Sequence, residues 1–400
     1  MTEKIHQVMP SPERFHALDS FRGLCALLVA MAHFNAYSIF HHSPIFDRGG
    51  IYVDFFFVLS GFVIFANYGE KLRNGFGMGK FIWLRFWRLY PLDIFVFLAF
   101  VGSDLAQMIF HVEGAALYKP FSAPGEGWDA ILSNVFLLHS MGVLDVLSFN
   151  GPSWSISVEF YTYILFALVL VVAPRHYRMV LAFLAIVSAW IVYINHYTLF
   201  AKLDFGYFRC IYGFICGVFA FEIYSRVKNL KERFSIKMFT LVESVLLVLV
   251  ISYIGFGARG LDSFAAPIVF LVTVVLFSFE GGMVSKLLKM KFFLLLGALS
   301  YSIYMTHIFI SGKLFSLPVR LLENFYGLSL STDINGTPFF GTNLIMGTGI
   351  ELFYLCVVVA CSYVSYRLIE EPCRKWSKRR LASLEAKKEC KVTQEISASV

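Results

Sequence analysis

Charge is what this 400-residue chain has least of: only 15% of its residues are charged. Ordinary soluble domains carry about 25%, so the shortage excludes a conventional soluble globular protein. Cysteine is sparse where it would staple a fold. Cys25, Cys210, Cys216, Cys356 and Cys361 lie in apolar stretches, and Cys373 and Cys390 lie in the C-terminal segment. None falls in an outer connection, so no disulfide framework is expected. There is no CxxC pair and no His/Cys grouping at zinc spacing, so no metal site is expected. A GxSxG elbow is also missing, as are internal repeats and low-complexity tracts.

Apolar residues fill the chain instead. They make up 58% of it, with 44 phenylalanines, and come in blocks of 17 or more. That is the length of a membrane span. Ten spans are expected, at roughly 23–40, 50–66, 89–110, 155–173, 179–195, 205–224, 239–257, 264–280, 292–312 and 345–368. The expected fold is an all-α polytopic membrane protein with about ten transmembrane helices. Ala30-Met31-Ala32 looks like a signal-peptide cleavage site, but the apolar run continues through Ile39 and further spans follow. The first span therefore reads as an uncleaved anchor. Residues 1–22 form an expected cytoplasmic N-terminal segment and 23–368 the membrane domain. Residues 369–400 read as a basic, polar cytoplasmic tail with no second folded domain.

The net charge of +7 argues topology rather than nucleic acid. With the N-terminus inside, 27 Lys and Arg residues sit at cytoplasmic segments and edges. Six sit in outer connections: Arg48, Lys119, Lys202, Arg259, Lys313 and Arg320. Arg209 alone is left inside a span. The positive-inside rule then puts both termini in the cytoplasm. Two outer connections are long, about 111–154 and 313–344. The first contains Ala130–Leu138, too short to span and so interfacial or re-entrant.

Against this apolar background the ionisable residues stand out. Arg22 and His33 are eleven residues apart. A helix returns over that interval to within roughly 20° of its starting direction, about 16 Å further along. Both would share one face, Arg22 at the inner edge and His33 near mid-bilayer. Arg85 and Arg88 share a helical face. Asp54, Glu159, Arg209, His307 and Glu351 fall in the outer half. Arginines suit phosphate through bidentate hydrogen bonding; carboxylates and histidine suit acid/base work on a hydroxyl. Singly, each has a plainer reading. Arg22, Arg85 and Arg88 can be topology signals, His33 an interhelical hydrogen bonder, Glu159 a structural partner for Arg209, and Asp54 and Glu351 braces for helix ends. His307 reads more readily as structural than as catalytic.

The motifs, in order, are L-D-S-F-R-G-L with His33, Gly50 to Phe62 (GIYVDFFFVLSGF), Arg85 to Pro91 (RFWRLYP), Asn150 to Phe160 (NGPSWSISVEF), Leu296 to His307 (LGALSYSIYMTH) and Tyr366 to Pro372 (YRLIEEP). Together they resemble integral-membrane acyltransferase family 3, which acylates bacterial cell-surface and exported glycans. The resemblance runs from Leu18 to Arg374. Departures are Ile51-Tyr52, where the family often has smaller residues, and Glu371, where lysine is common. Some members carry a hydrolase-like domain after the last spans; the tail here is expected to lack it.

The resemblance implies a multi-pass protein of the bacterial cytoplasmic (inner) membrane. It implies a cytoplasmic acyl-CoA co-substrate, expected to be acetyl-CoA, with no bound cofactor, and a glycan or lipid-linked glycan acceptor reached from outside. Arg22, Arg85 and Arg88 are then expected to bind the nucleotide phosphates of the CoA. His33 is expected to act as general base, oriented by a carboxylate in the manner of a Ser-His-Asp triad without the serine. Glu159 is preferred over Asp54 for that part. Supporting or acceptor-side residues are expected among Asp54, Ser60, Trp154, Ser155, Arg209 and His307. A covalent route through His33, Ser60, Ser155 or Ser157 stays open. Acceptor selectivity is expected in the 111–154 connection, with its E-G-A-A-L-Y stretch. A transporter or flippase for a lipid-linked or acylated glycan is the rival reading, since transporters also place polar residues at mid-membrane. No repeated half-structure supports it. A catalytically silent sensor is a second rival.

Overall fold

A computed structural model describes residues 14–41, 43–110, 121, 124–334 and 336–398. Ten long helices form the bundle. They are α1 (His16–Ala32), α2 (Gly49–Ile64), α3 (Met78–Ile109), α4 (Trp154–Val172), α5 (Tyr177–His196), α6 (Gly206–Val227), α7 (Ile236–Phe256), α8 (Ala266–Ser278), α9 (Lys291–Phe309) and α10 (Leu344–Ser365). An eleventh helix, α11 (Glu371–Ala398), continues α10 after a π-helical turn, Tyr366–Glu370. Among the described residues, nine helical stretches are long and apolar enough to cross a membrane. With its 17 residues, α1 completes the ten. Their outward faces are apolar: Met179, Phe183, Ile186 and Trp190 make one exposed stripe along α5, as a lipid-facing helix requires.

Backbone contact between helices sets the geometry. A Cβ on Gly23 would lie 2.4 Å from the Leu296 carbonyl carbon, and one on Gly297 would lie 2.4 Å from the Asp19 oxygen. The α1–α9 crossing therefore tolerates no side chain at either position. This contact places Arg22 beside α9. Gly61 and Gly217 bring α2 against α6 in the same way.

Three boundaries differ from the sequence expectation. The first helix spans His16–Ala32, shifted toward the N-terminus from 23–40, so residues 16–22 are helical rather than a segment preceding the span. The apolar run through Ile39 leaves the helix because its backbone is claimed elsewhere. A hairpin of β1 (Ser331–Ile334) and β2 (Thr337–Phe340) holds it: Phe340 N donates to Asn35 O at 2.8 Å, and Tyr37 N donates to Phe340 O at 2.9 Å. Phe34 stacks on Tyr354 with centroids 3.9 Å apart. The third helix begins at Met78, so Arg85 and Arg88 lie within it rather than ahead of it. The tail from 369 is helical and docked: α11 packs on α3 through Trp376 against Trp87 (4.6 Å) and Lys80 against Glu385 (2.5 Å).

The apolar run at 130–138 forms a short helix, Trp128–Val135. The E-G-A-A-L-Y stretch, residues 113–118, lies outside the described residues. The end of the bundle carrying the start of α1 is called the arginine end below, and the opposite end the histidine end.

Candidate active site

A cavity of about 590 Å³ enters the bundle from the arginine end. Its walls come from α1, α2, α3, α4, α9 and the α10–α11 junction. Five arginines line it, Arg14, Arg22, Arg85, Arg88 and Arg374, against three carboxylates, Asp19, Glu159 and Glu371. Arg22 donates to Ser300 Oγ at 2.8 Å and Asp19 Oδ1 at 3.1 Å. Arg88 pairs with Glu370 at 2.8 Å, and its guanidinium sits 5.1 Å from the Tyr301 ring centre. Arg85 reaches only the Tyr68 hydroxyl, at 3.2 Å, and its buried Nε has no hydrogen-bond partner. No carboxylate ion-pairs with Arg85 among the described residues. Guanidinium outnumbers carboxylate in the lining, and guanidinium groups suit anionic oxygens.

Deeper in, the lining turns to hydroxyls and rings. Tyr163 OH donates to Glu159 Oε1 at 2.6 Å and shares a hydrogen bond of 2.8 Å with Ser60 Oγ. Ser155 Oγ and Tyr304 OH are 2.9 Å apart, and Tyr304 also donates to Pro152 O at 3.0 Å. From Ile64 to Phe56 on α2, or from Tyr163 to Ser155 on α4, the cavity advances about 12 Å along the helices.

His33 does not line this cavity. It caps the end of α1 and is exposed at the histidine end. Its Nδ1 lies 2.8 Å from Val29 O, so Nδ1 carries the proton and Nε2 the free lone pair. The His307 ring is 5.2 Å away. His307 is fully buried, with Nδ1 3.2 Å from Ile303 O and Nε2 without a partner. It stands one helical turn past Tyr304, the last of the cavity residues on α9. The two histidines thus lie beyond the last cavity residues, toward the opposite face.

The carboxylate expected to orient His33 is not there; the Val29 carbonyl takes that place. Glu159 belongs to the cavity, where Arg88 and Arg22 lie within its electrostatic reach. Asp54 is taken by Arg209, which donates to both of its oxygens at 2.8 Å. Both side chains are 0% exposed, so Arg209's partner is Asp54 rather than Glu159. Arg209 also donates to Gly50 O at 2.7 Å and lies 5.4 Å from the Trp154 ring. Trp154, Asp54 and Arg209 are therefore one buried brace joining α2, α4 and α6. Glu351 holds the chain after His33 by accepting from Ser38 Oγ.

Several lining residues escaped sequence reasoning. Tyr163 lies one turn after Glu159, a spacing that could have signalled the pair. Arg374 reaches the cavity only because α10 continues into α11. A second cavity, of about 370 Å³, opens near His33 and is lined by Arg48, Gly50, Ile51, Phe200, Lys202, Ala258 and Arg259; Gly50 and Ile51 begin the second-helix motif, and the other five belong to no motif.

A multi-pass helical membrane protein with an arginine-lined cavity leading toward a histidine at the far end is the class that fold and site define. The chain belongs to acyltransferase family 3, whose acyltransferase-domain profile matches residues 15–367. It is 23% identical over 407 aligned residues to the O-acetyltransferase OatA of Staphylococcus aureus, covering 95% of this chain and 60% of that protein. It is 30% identical over 180 residues to the acyltransferase MdmB of Streptomyces mycarofaciens, covering 43% of this chain and 41% of that protein. Protein 2 in the picA locus of Rhizobium radiobacter is 44% identical over 84 residues, 21% of this chain and 42% of that protein. The matches thus span about half the length of these curated relatives. No solved structure matches the chain.

Proposed function

We propose that this protein moves an acyl group, acetyl in the first instance, from cytoplasmic acyl-CoA to a hydroxyl of a cell-surface or exported glycan across the bacterial inner membrane. The observation that carries the reading is the alignment of three things: a cavity rich in arginine, an interior lined by hydroxyls, and a histidine with a free Nε2 at the opposite end. Family membership supports acyl transfer, and the OatA resemblance supports acetyl.

In this reading the nucleotide phosphates lie against Arg85, Arg22 and Arg88, with Arg374 and Arg14 at the mouth. The pantetheine arm extends between α2, α4 and α9, where Ser60, Tyr163, Glu159, Ser155 and Tyr304 offer hydrogen-bond partners. The thioester reaches the histidines past Tyr304. His33 Nε2 takes the proton of the acceptor hydroxyl as its oxygen attacks the thioester carbonyl. The new bond is O–C and the broken bond is C–S. The thiolate leaves as CoA and receives the proton from His33. Glu159 positions the donor arm rather than the base.

The test uses membranes, labelled acetyl-CoA and a glycan acceptor. His33→Ala, in protein that still inserts, lowers kcat about a thousandfold; transfer at the wild-type rate sinks the mechanism. Arg88→Ala raises the donor KM. If the acceptor KM rises in its place, the phosphate assignment is wrong.

A further inference from the structure

Outer connections of membrane proteins are poor in basic residues, and the sequence assigns only six here. Three of them, Arg48, Lys202 and Arg259, converge on the second cavity. They come from three separate connections: α1–α2, α5–α6 and α7–α8. No carboxylate lines that cavity.

Among the described residues none of the three side chains makes an ion pair. Two backbone carbonyls at the end of α7, Ile254 O and Gly257 O, accept from Arg48 at 2.5 Å each, which orients the guanidinium without a counter-charge. Asp262, the acidic residue nearest in sequence to Arg259, spends its Oδ1 on the backbone amides of Arg259 and Gly260, at 3.1 and 2.8 Å. Lys202 makes no ion pair among the described residues, and desolvation together with the Arg209 charge pushes its ammonium below the usual lysine range. A desolvated, unpaired cation is stabilised by an anion. Phe200 supplies an apolar wall, the kind of surface a sugar ring packs against.

The cavity also adjoins the proposed base. Gly50 lines it, and a Cβ added at the neighbouring Gly49 would meet His33 Cε1 at 4.0 Å. Lys202 lies within electrostatic reach of His33.

We propose that this cavity is an acceptor subsite that binds an anionic group, so that the acceptor class is an acidic glycan whose hydroxyl is presented to His33. The word acceptor rests on the acyltransferase reading; the anion site does not. The negative oxygens can belong to a sugar carboxylate or to the diphosphate of a lipid-linked glycan, and both present the same charge to Arg48, Lys202 and Arg259.

The experiment uses the full chain in nanodiscs of phosphatidylcholine. Tetragalacturonate, its fully methyl-esterified form and inorganic pyrophosphate are titrated against wild type, a Lys202→Ala/Arg259→Ala double variant and Lys202→Arg. Acetyl-CoA consumption is followed separately. Arg48 is left alone because it braces α7. Wild type binds the acid about tenfold more tightly than the ester, as a charge-assisted contact predicts. The double variant loses that preference, Lys202→Arg keeps it, and added salt weakens it. Binding of pyrophosphate in place of tetragalacturonate, lost in the same double variant, supports the site and assigns the anion to the diphosphate. Equal affinity of wild type for acid and ester with no pyrophosphate binding overturns the proposal, as does a preference that survives in the double variant. A wild-type protein that prefers the acid yet never consumes acetyl-CoA supports the anion site and sinks the acyltransferase reading, so the two failures are separable.

Discussion

The two ends of the bundle both gather basic side chains, but they handle the charge differently. At the arginine end Arg22 shares Asp19, Arg88 shares Glu370, and Glu371 stands between Arg367 and Lys375 at 3.5 and 2.9 Å. Arg85 alone among the deep arginines lacks a carboxylate. At the histidine end Arg48, Lys202 and Arg259 face a cavity with no acidic lining at all. Paired arginines are prepositioned and moderate in field; unpaired cations are costly until an anion arrives. The difference teaches that topology signals alone do not explain the cations of the histidine end, since three of them, from separate connections, converge on one cavity. Among the described residues the one fully buried ion pair, Asp54–Arg209, lines neither cavity and is a brace, tied to the histidine-end cavity through Gly50 O.

Breaking that brace should have the largest effect. Arg209→Met leaves the Asp54 carboxylate buried and unpaired, which costs roughly 3–5 kcal/mol. Thermal unfolding in detergent should show a large fall in Tm, and Asp54→Leu added to it should recover most of the loss. An unchanged Tm in the single variant would mean that the two ends are held in register by something else.

Acid should loosen the wall between the ends next. His139 sits 3.0 Å from Ser153 Oγ at the start of α4, and burial lowers its pKa from 6.5 to about 4. The unfolded chain takes up that proton first, so stability is full above about pH 6.5 and is lost as pH falls toward 4. His139→Gln should flatten the Tm profile across that window; a parallel profile would remove His139 as the cause.

The comparison within the arginine end is sharpened by donor kinetics. Arg85→Ala should raise the donor KM about tenfold, more than Arg22→Ala, because Arg22 already spends part of its charge on Asp19. Equal effects would show that pairing does not matter there. The smallest effect belongs to Tyr304→Phe, which removes the hydrogen bonds to Ser155 and Pro152. It should lower kcat by about fivefold, the equivalent of one ordinary hydrogen bond, and leave the acceptor KM in place. A shifted acceptor KM would put Tyr304 on the acceptor side of the divide.

The spans were legible because membrane burial is written one residue at a time. Long apolar blocks need no partner to be recognised. The candidate arginines were legible for the same reason, since any charge in such blocks stands out. Boundaries were less so. The end of α1 depends on hydrogen bonds from Phe340, some three hundred residues away in sequence, and α11 docks on α3 through contacts such as Trp376 on Trp87.

Pairing was the least legible feature. Sequence offered Glu159 and Asp54 as partners for His33, and Glu159 as a partner for Arg209. Distance settled each question differently: Val29 O holds His33, Tyr163 holds Glu159, and Asp54 holds Arg209. Composition and local motif thus determined a polytopic helical protein of an acyltransferase family, because hydrophobic length and residue type act locally. Tertiary structure alone decided which charges neutralise one another and which stay open for a ligand. Coulombic pairing and desolvation fall off within a few ångströms, and only the fold says which residues lie that close.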